Sequence, residues 1–230
     1  MAIMTRSGRA ALADAIRQRP LHLAWGSGNA DWETVAPEFT GTFASNTLDL
    51  PNGPVEAVSV TSTDGNTTYV SGDDYTVDAG VGRITRVVTG EISEGQQVKV
   101  NYTRLTPAPD VAQEALVAEI GRREVDEVAF VVADDQGAIV APTGRFTLSS
   151  DPTNHLFVRV RFDFQDAPDA TIREQGLFVG TVTDENVPEG QRYFIPGELT
   201  DAGILLIVQN TVPIIRQPST RETFEFVVTF

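Results

Sequence analysis

Cysteine is absent from the 230 residues, so disulfides and thiolate metal sites are excluded. Lysine is nearly absent: the 17 basic residues include a single lysine, Lys99, and the rest are arginine. Arginine suits fixed, planar pairing with carboxylates, although a skewed genome composition explains the same bias. Histidine occurs twice. His22 sits among apolar residues in a strand-like run, and His155 follows a turn into another, so both read as structural. No His-x-His or His-Glu-x-x-His spacing offers a zinc site. No apolar run approaches the roughly 18 residues that span a bilayer. The first nine residues hold no hydrophobic stretch with a cleavage site, which argues against a signal peptide. Positive charge is in short supply: 32 acidic residues leave a net charge of −15. That balance argues against binding nucleic acid through its phosphates and against adhesion to an anionic membrane. It favours solubility until a specific partner docks.

What is present is an ordinary globular composition, 41% hydrophobic and 21% charged, enough for a real core. Alternating β-branched and aromatic residues dominate, and the expected class is mainly β: an antiparallel sandwich-like platform with two short helices and an inserted small β-sandwich or barrel. The first helix is expected over residues 7–19, capped by Ser7, anchored by Leu12 and Ile16 and stopped by Pro20. The second is expected over 110–120, where Ala112, Leu116 and Ile120 share a helical face. Between Thr47 and Leu105, short strands separated by Asp64-Gly65-Asn66, Gly72-Asp73-Asp74 and Ala79-Gly80-Val81-Gly82 suggest a self-contained module. The division expected is therefore residues 1–46 with 106–230 as platform and 47–105 as insertion. Leu156 to Phe164 alternates cleanly, with Leu156, Val158, Val160, Phe162 and Phe164 on the face expected to lie in the core.

Catalytic motifs are missing. Gly26-Ser27-Gly28 is neither a nucleophile elbow nor a dinucleotide fingerprint. Asp73-Asp74 and Asp134-Asp135 sit in turn contexts and read as solvated turn residues. Asp64, Asn66, Asp73, Asp74 and Asp78 do not match a calcium loop. No enzyme activity, cofactor or metal is expected. Trp25 and Trp32 flank a glycine-rich loop and are expected to anchor it to the core or to an interface.

Two stretches resemble phage virion proteins. Thr67-Thr68-Tyr69-Val70-Ser71-Gly72-Asp73-Asp74-Tyr75-Thr76-Val77-Asp78, continued by Gly82-Arg83-Ile84-Thr85-Arg86 and Val98-Lys99-Val100-Asn101-Tyr102, resembles a small β module that recurs as an insertion in such proteins. Ala170-Thr171-Ile172-Arg173-Glu174-Gln175-Gly176-Leu177-Phe178-Val179-Gly180-Thr181, with Val212-Pro213-Ile214-Ile215-Arg216-Gln217-Pro218, is similar to the Glu-x-Gly-Leu-Phe signature of baseplate-proximal tail and tail-fibre attachment proteins. The resemblance implies a structural part of a tailed phage virion, assembled in the host cytoplasm. It would form a homo-oligomer and dock other tail, baseplate or fibre proteins, binding neither nucleic acid nor membrane. The interface residues expected are Leu12, Ile16, Trp25, Trp32, Arg173, Glu174, Phe178, Arg216, Phe224, Phe226 and Phe230. Arg216 is expected to project from a stiff proline-flanked loop, and the final strand to join a neighbour's sheet. Two other readings stay open. One is a glycan-binding adhesin stacking sugars on Trp25, Trp32, Tyr69 or Tyr75. The other is a tail-borne hydrolase using a carboxylate pair.

Overall fold

The structure, a computed structural model, describes residues 2–230. Strands occupy 46% of the chain and helix 7%, which makes the fold mainly β. The chain divides into two compact units, one comprising the segment up to Gly28 with Pro109–Phe230, the other Asn29–Ala108.

The first unit opens with α1 (Arg6–Arg17) and β1 (Leu21–Gly26). Thr5, rather than Ser7, caps the helix by accepting from the Gly8 N–H at 3.1 Å. Ala13 is buried and Ile16 packs against the main core, so the helix is seated on its own unit; Leu12 stays 43% exposed.

The second unit follows as β2 (Phe39–Thr42), β3 (Thr47–Asp49), β4 (Val55–Ser62), β5 (Tyr75–Asp78), β6 (Arg83–Arg86) and β7 (Gln97–Arg104). They form two three-stranded sheets, β2-β7-β4 and β3-β6-β5. Phe43, Leu48, Val60, Ile84, Val98 and Tyr102 share its core. Its entry and exit run side by side: the Ala36 N–H donates to the Tyr102 carbonyl and the Arg104 N–H to the Thr34 carbonyl, each at 2.9 Å. The unit opens at Asn29 rather than at residue 47, because β2 pairs with β7 along Phe39–Thr42.

The chain then returns to the first unit with β8 (Glu119–Glu124), β9 (Glu127–Ala133), β10 (Ile139–Ala141), β11 (Gly144–Leu148), β12 (His155–Phe162) and β13 (Thr171–Val179). After these come β14 (Val182–Thr183), β15 (Tyr193–Phe194), a 3-10 turn at Pro196–Glu198, β16 (Leu199–Asp201), β17 (Ile204–Ile215) and β18 (Glu222–Thr229). Two five-stranded antiparallel sheets result, in the orders β15-β8-β1-β13-β17 and β10-β11-β9-β12-β18. Leu23, Trp25, Ile172 and Leu177 from the first meet Phe130, Leu156, Val158, Val160 and Phe162 from the second in one core, so the unit is a β-sandwich. The alternation of β12 puts Arg159 on the outer face, where it pairs with Glu127 of β9 and Glu225 of β18, its own register partners. Each pair is well exposed and contributes little stability, but together they favour this register over a one-residue slip.

The second helix, expected over 110–120, does not form. The segment runs as turns into β8, with Leu116 packed beside Ala24 and Phe178. The Val117 and Ala118 N–H groups donate to the Glu174 carboxylate rather than to helical carbonyls.

We propose that Asn29–Ala108 folds by itself. Expressed alone, that fragment should give well-dispersed amide resonances. A narrow, random-coil spectrum would show that its core depends on the rest of the chain.

Candidate interaction site

The tail-like signature residues are, in the structure, building parts of the sandwich. Glu174 on β13 is fully buried. Its Oε1 accepts from the N–H groups of Gly28 at 3.2 Å and Ala118 at 2.8 Å, and its Oε2 from that of Val117 at 2.9 Å. The carboxylate thereby ties the end of β1 and the approach to β8 to the middle of β13. A Cβ at position 26 would collide with this carboxylate, which is why glycine closes β1. Arg173 does not pair with Glu174; its Nη1 donates to the Ser27 carbonyl at 3.2 Å. Phe178 is buried beneath Arg122, whose guanidinium lies 3.9 Å from the ring centroid. Arg122 is itself buried and held by Glu119 at 2.7 and 2.8 Å. It was not among the expected site residues; the signal available was the spacing of opposite charges in Glu119-x-x-Arg122.

Arg216 is also interior, contrary to the expected exposed loop. Residues Val212 to Ile215 continue β17, and Arg216 turns inward to donate to the carbonyls of Asp163 at 2.8 Å, Thr220 at 3.0 Å and Asp166 at 3.3 Å. It lies 5.1 Å above the Trp25 ring. Trp25 is fully buried and stacks on Phe162, centroids 3.4 Å apart. Glu174, Phe178, Arg216 and Trp25 are therefore removed from any docking surface of the folded chain, because each is enclosed by its own unit. Trp32 is half-buried in a turn, its N–H donating to Asn29. Tyr69 and Tyr75 are buried in the core of the second unit, and with Trp25 that takes three of the four aromatics from the sugar-stacking reading.

Of the carboxylates singled out, Asp64, Asp74, Asp78 and Asp134 cap turns. Asp74 accepts from the Val70 and Glu91 N–H groups, both at 2.8 Å, and those bonds lower its pKa. Asp134 accepts from the Thr147 hydroxyl and the Gln136 N–H, with the same effect. Among the described residues no group of three His, Asp or Glu could hold a metal ion.

The final strand is built into its own sheet. β18 pairs with β12 along its whole length, and the Phe230 N–H donates to the Asn154 carbonyl at 2.9 Å. Yet β18 is the last strand of the second sheet, as β17 is of the first. An apolar cleft of about 380 Å³ opens there, lined among others by Leu177, Ile207, Ile214, Phe224 and Phe226. Of the expected residues, this cleft brings together Phe224 and Phe226. A second cleft, near Asp163, is lined by Arg123, Arg192 and Arg221. Each already has a carboxylate: Asp166 at 2.5 Å, Asp126 at 2.8 Å and Asp163 at 2.8 Å. Its charge is matched internally.

The family model described as "Baseplate wedge 3 tail fiber network component" matches the chain over residues 1–62 and 92–230. The unmatched stretch, 63–91, contains β5 and β6. No curated protein matches the chain.

Replacing Glu174 with alanine strands three N–H groups and should lower the unfolding free energy in urea by about 3 kcal/mol. An unchanged midpoint would mean that water takes over the acceptor role. The buried His22 supplies a pH test. Burial, then the Arg122 charge, push its pKa from 6.5 down to about 4. The unfolded ring takes up a proton before the folded one does. Stability is therefore complete above pH 6.5 and is lost as pH falls toward 4. His22→Leu should shrink the loss of urea stability between pH 7.5 and 5 by about 2 kcal/mol. An equal loss in both proteins would assign it to the carboxylates.

Proposed function

The chain belongs to the baseplate wedge 3 tail fiber network component family, and we propose that it serves there as a scaffold, in symmetrically repeated copies that dock neighbouring tail or fibre proteins. It is a structural protein of the phage baseplate, and its place is the virion tail. The observation that carries the reading is the family match itself, which spans every strand of the sandwich unit.

The chemistry of the chain supports a scaffold over a catalyst. The carboxylates that would suit acid–base work cap turns or neutralise arginines. The buried charges Glu174, Arg122 and Arg216 are consumed in holding the sandwich together. With a net charge of −15, the surface is suited to neighbours that carry basic patches. The absence of cysteine suits assembly in the reducing host cytoplasm.

Electron microscopy of virions carrying a labelled copy of the chain tests the reading. Label should cluster at the baseplate in a rotationally repeated pattern. Label on the head, or tails that form and infect without the chain, would overturn it.

A further inference from the structure

Sheet edges offer unpaired N–H and C=O groups, and proteins guard them by keeping edge strands short or by charging them. Here every edge but one is guarded. In the first unit, β15 has two residues and β10 three, while β18 carries Glu222 and Glu225. In the second, β2, β3 and β5 have three or four residues, and β4 carries Glu56. The exception is β17, twelve residues long, without a charged side chain from Ile204 to Ile215. It ends its sheet, paired with β13 on one side, and among the described residues no strand covers the other. Ile204, Val212 and Ile215 along it are 61%, 83% and 71% exposed. Its register with β13 is unbroken from Ile207 to Asn210 and shifts on either side, so a regular edge survives at its centre. Pro213 lacks an N–H and ends that edge.

We propose that β17 is a strand-addition site for an extended segment of a different, basic protein. This rests on the scaffold reading above and names the docking surface for it. A strand laid along Ile207 to Gln209 would take the outward backbone groups of β17. Every second side chain would then drop into the apolar cleft beside it, against Ile207, Ile214, Phe224 and Phe226. A volume of about 380 Å³ lies within the roughly 300–1,000 Å³ of clefts that hold ligands. The uncharged strand and apolar lining call for Val- or Leu-like residues at alternate positions of the guest. The net charge of −15 selects basic flanks, and it disfavours a second copy, which brings the same charge.

The test uses the full-length chain and three fluorescent nine-residue peptides. All carry alternating valine and threonine over five central residues. The first has two lysines at each end. The second is the same peptide N-methylated at alternate central residues, and the third has glutamates for lysines. The lysine-flanked peptide should bind with saturable anisotropy, and the other two at least about tenfold more weakly. Val212→Lys, at an exposed position, should weaken the first peptide about tenfold, since it charges the edge. Equal binding of the N-methylated peptide would show that the cleft takes side chains without strand pairing, and would overturn the proposal. So would absence of binding by the first peptide. So would a free chain that sediments as a dimer and is made monomeric by Val212→Lys, since the occupant is then a second copy. None of these results alters where labelled virions carry the chain, and failure of that labelling leaves the peptide result standing.

Discussion

Trp25 lies flat on Phe162, nearly parallel at 9°, and this contact joins the central strand of one sheet to an interior strand of the other. Phe224 meets both rings edge-on. Such pairs contribute about 0.5–1.5 kcal/mol each beyond the area they bury. Their larger effect is geometric, because the stack fixes the spacing of the two sheets. Arg216 extends the arrangement. Its guanidinium covers the indole and binds carbonyls of the turns that follow β12 and β17. Two connections that are distant in sequence are thereby held to one point.

The rest of the polar interior works in the same way. Glu174 satisfies three backbone donors, and Arg122 lies on Phe178 while gripping Glu119. Lysine could not replace either arginine, since a point charge neither stacks on a ring nor presents a planar fork. Breaking one member of such a buried pair leaves a charge without compensation, which costs more than the pair contributes. The arginine-rich composition thus has a structural use at two positions at least.

Much of the fold could be read from local pattern. The alternation of β12, the helix stopped by Pro20 and the run of short strands after Thr47 all carry their own periodicity. The false helix at 110–120 shows the limit. Leu116 and Ile120 have helical spacing, but the backbone donors between them are taken by Glu174, far along the chain, and no local window contains that partner. Arg216 failed for the same reason: two of its three carbonyl acceptors lie about fifty residues earlier. Residues of the Glu-x-Gly-Leu-Phe signature were legible as a marker but not as a role, since sequence alone does not tell a conspicuous surface residue from a buried clamp. The cleft was half legible. Phe224 and Phe226 stood out as a terminal aromatic alternation, whereas Ile207 and Ile214 join them only through sheet order.

The paired entry and exit of the second unit have a consequence for change over time. With Thr34 and Ala36 fastened to Arg104 and Tyr102, the intervening excursion begins and ends at one spot. Closing a loop whose ends already meet depends weakly on its length, about 0.6 kcal/mol for each doubling. The stretch outside the family match, 63–91, opens on the exposed turn Asp64-Gly65-Asn66, and such a turn is free to lengthen or shrink at little thermodynamic expense, whereas Tyr75 of β5 and Ile84 of β6 are held in the core. Lineages of such a protein should diverge first in the exposed turns of that excursion, keeping its fastened base while presenting different surfaces to the world outside.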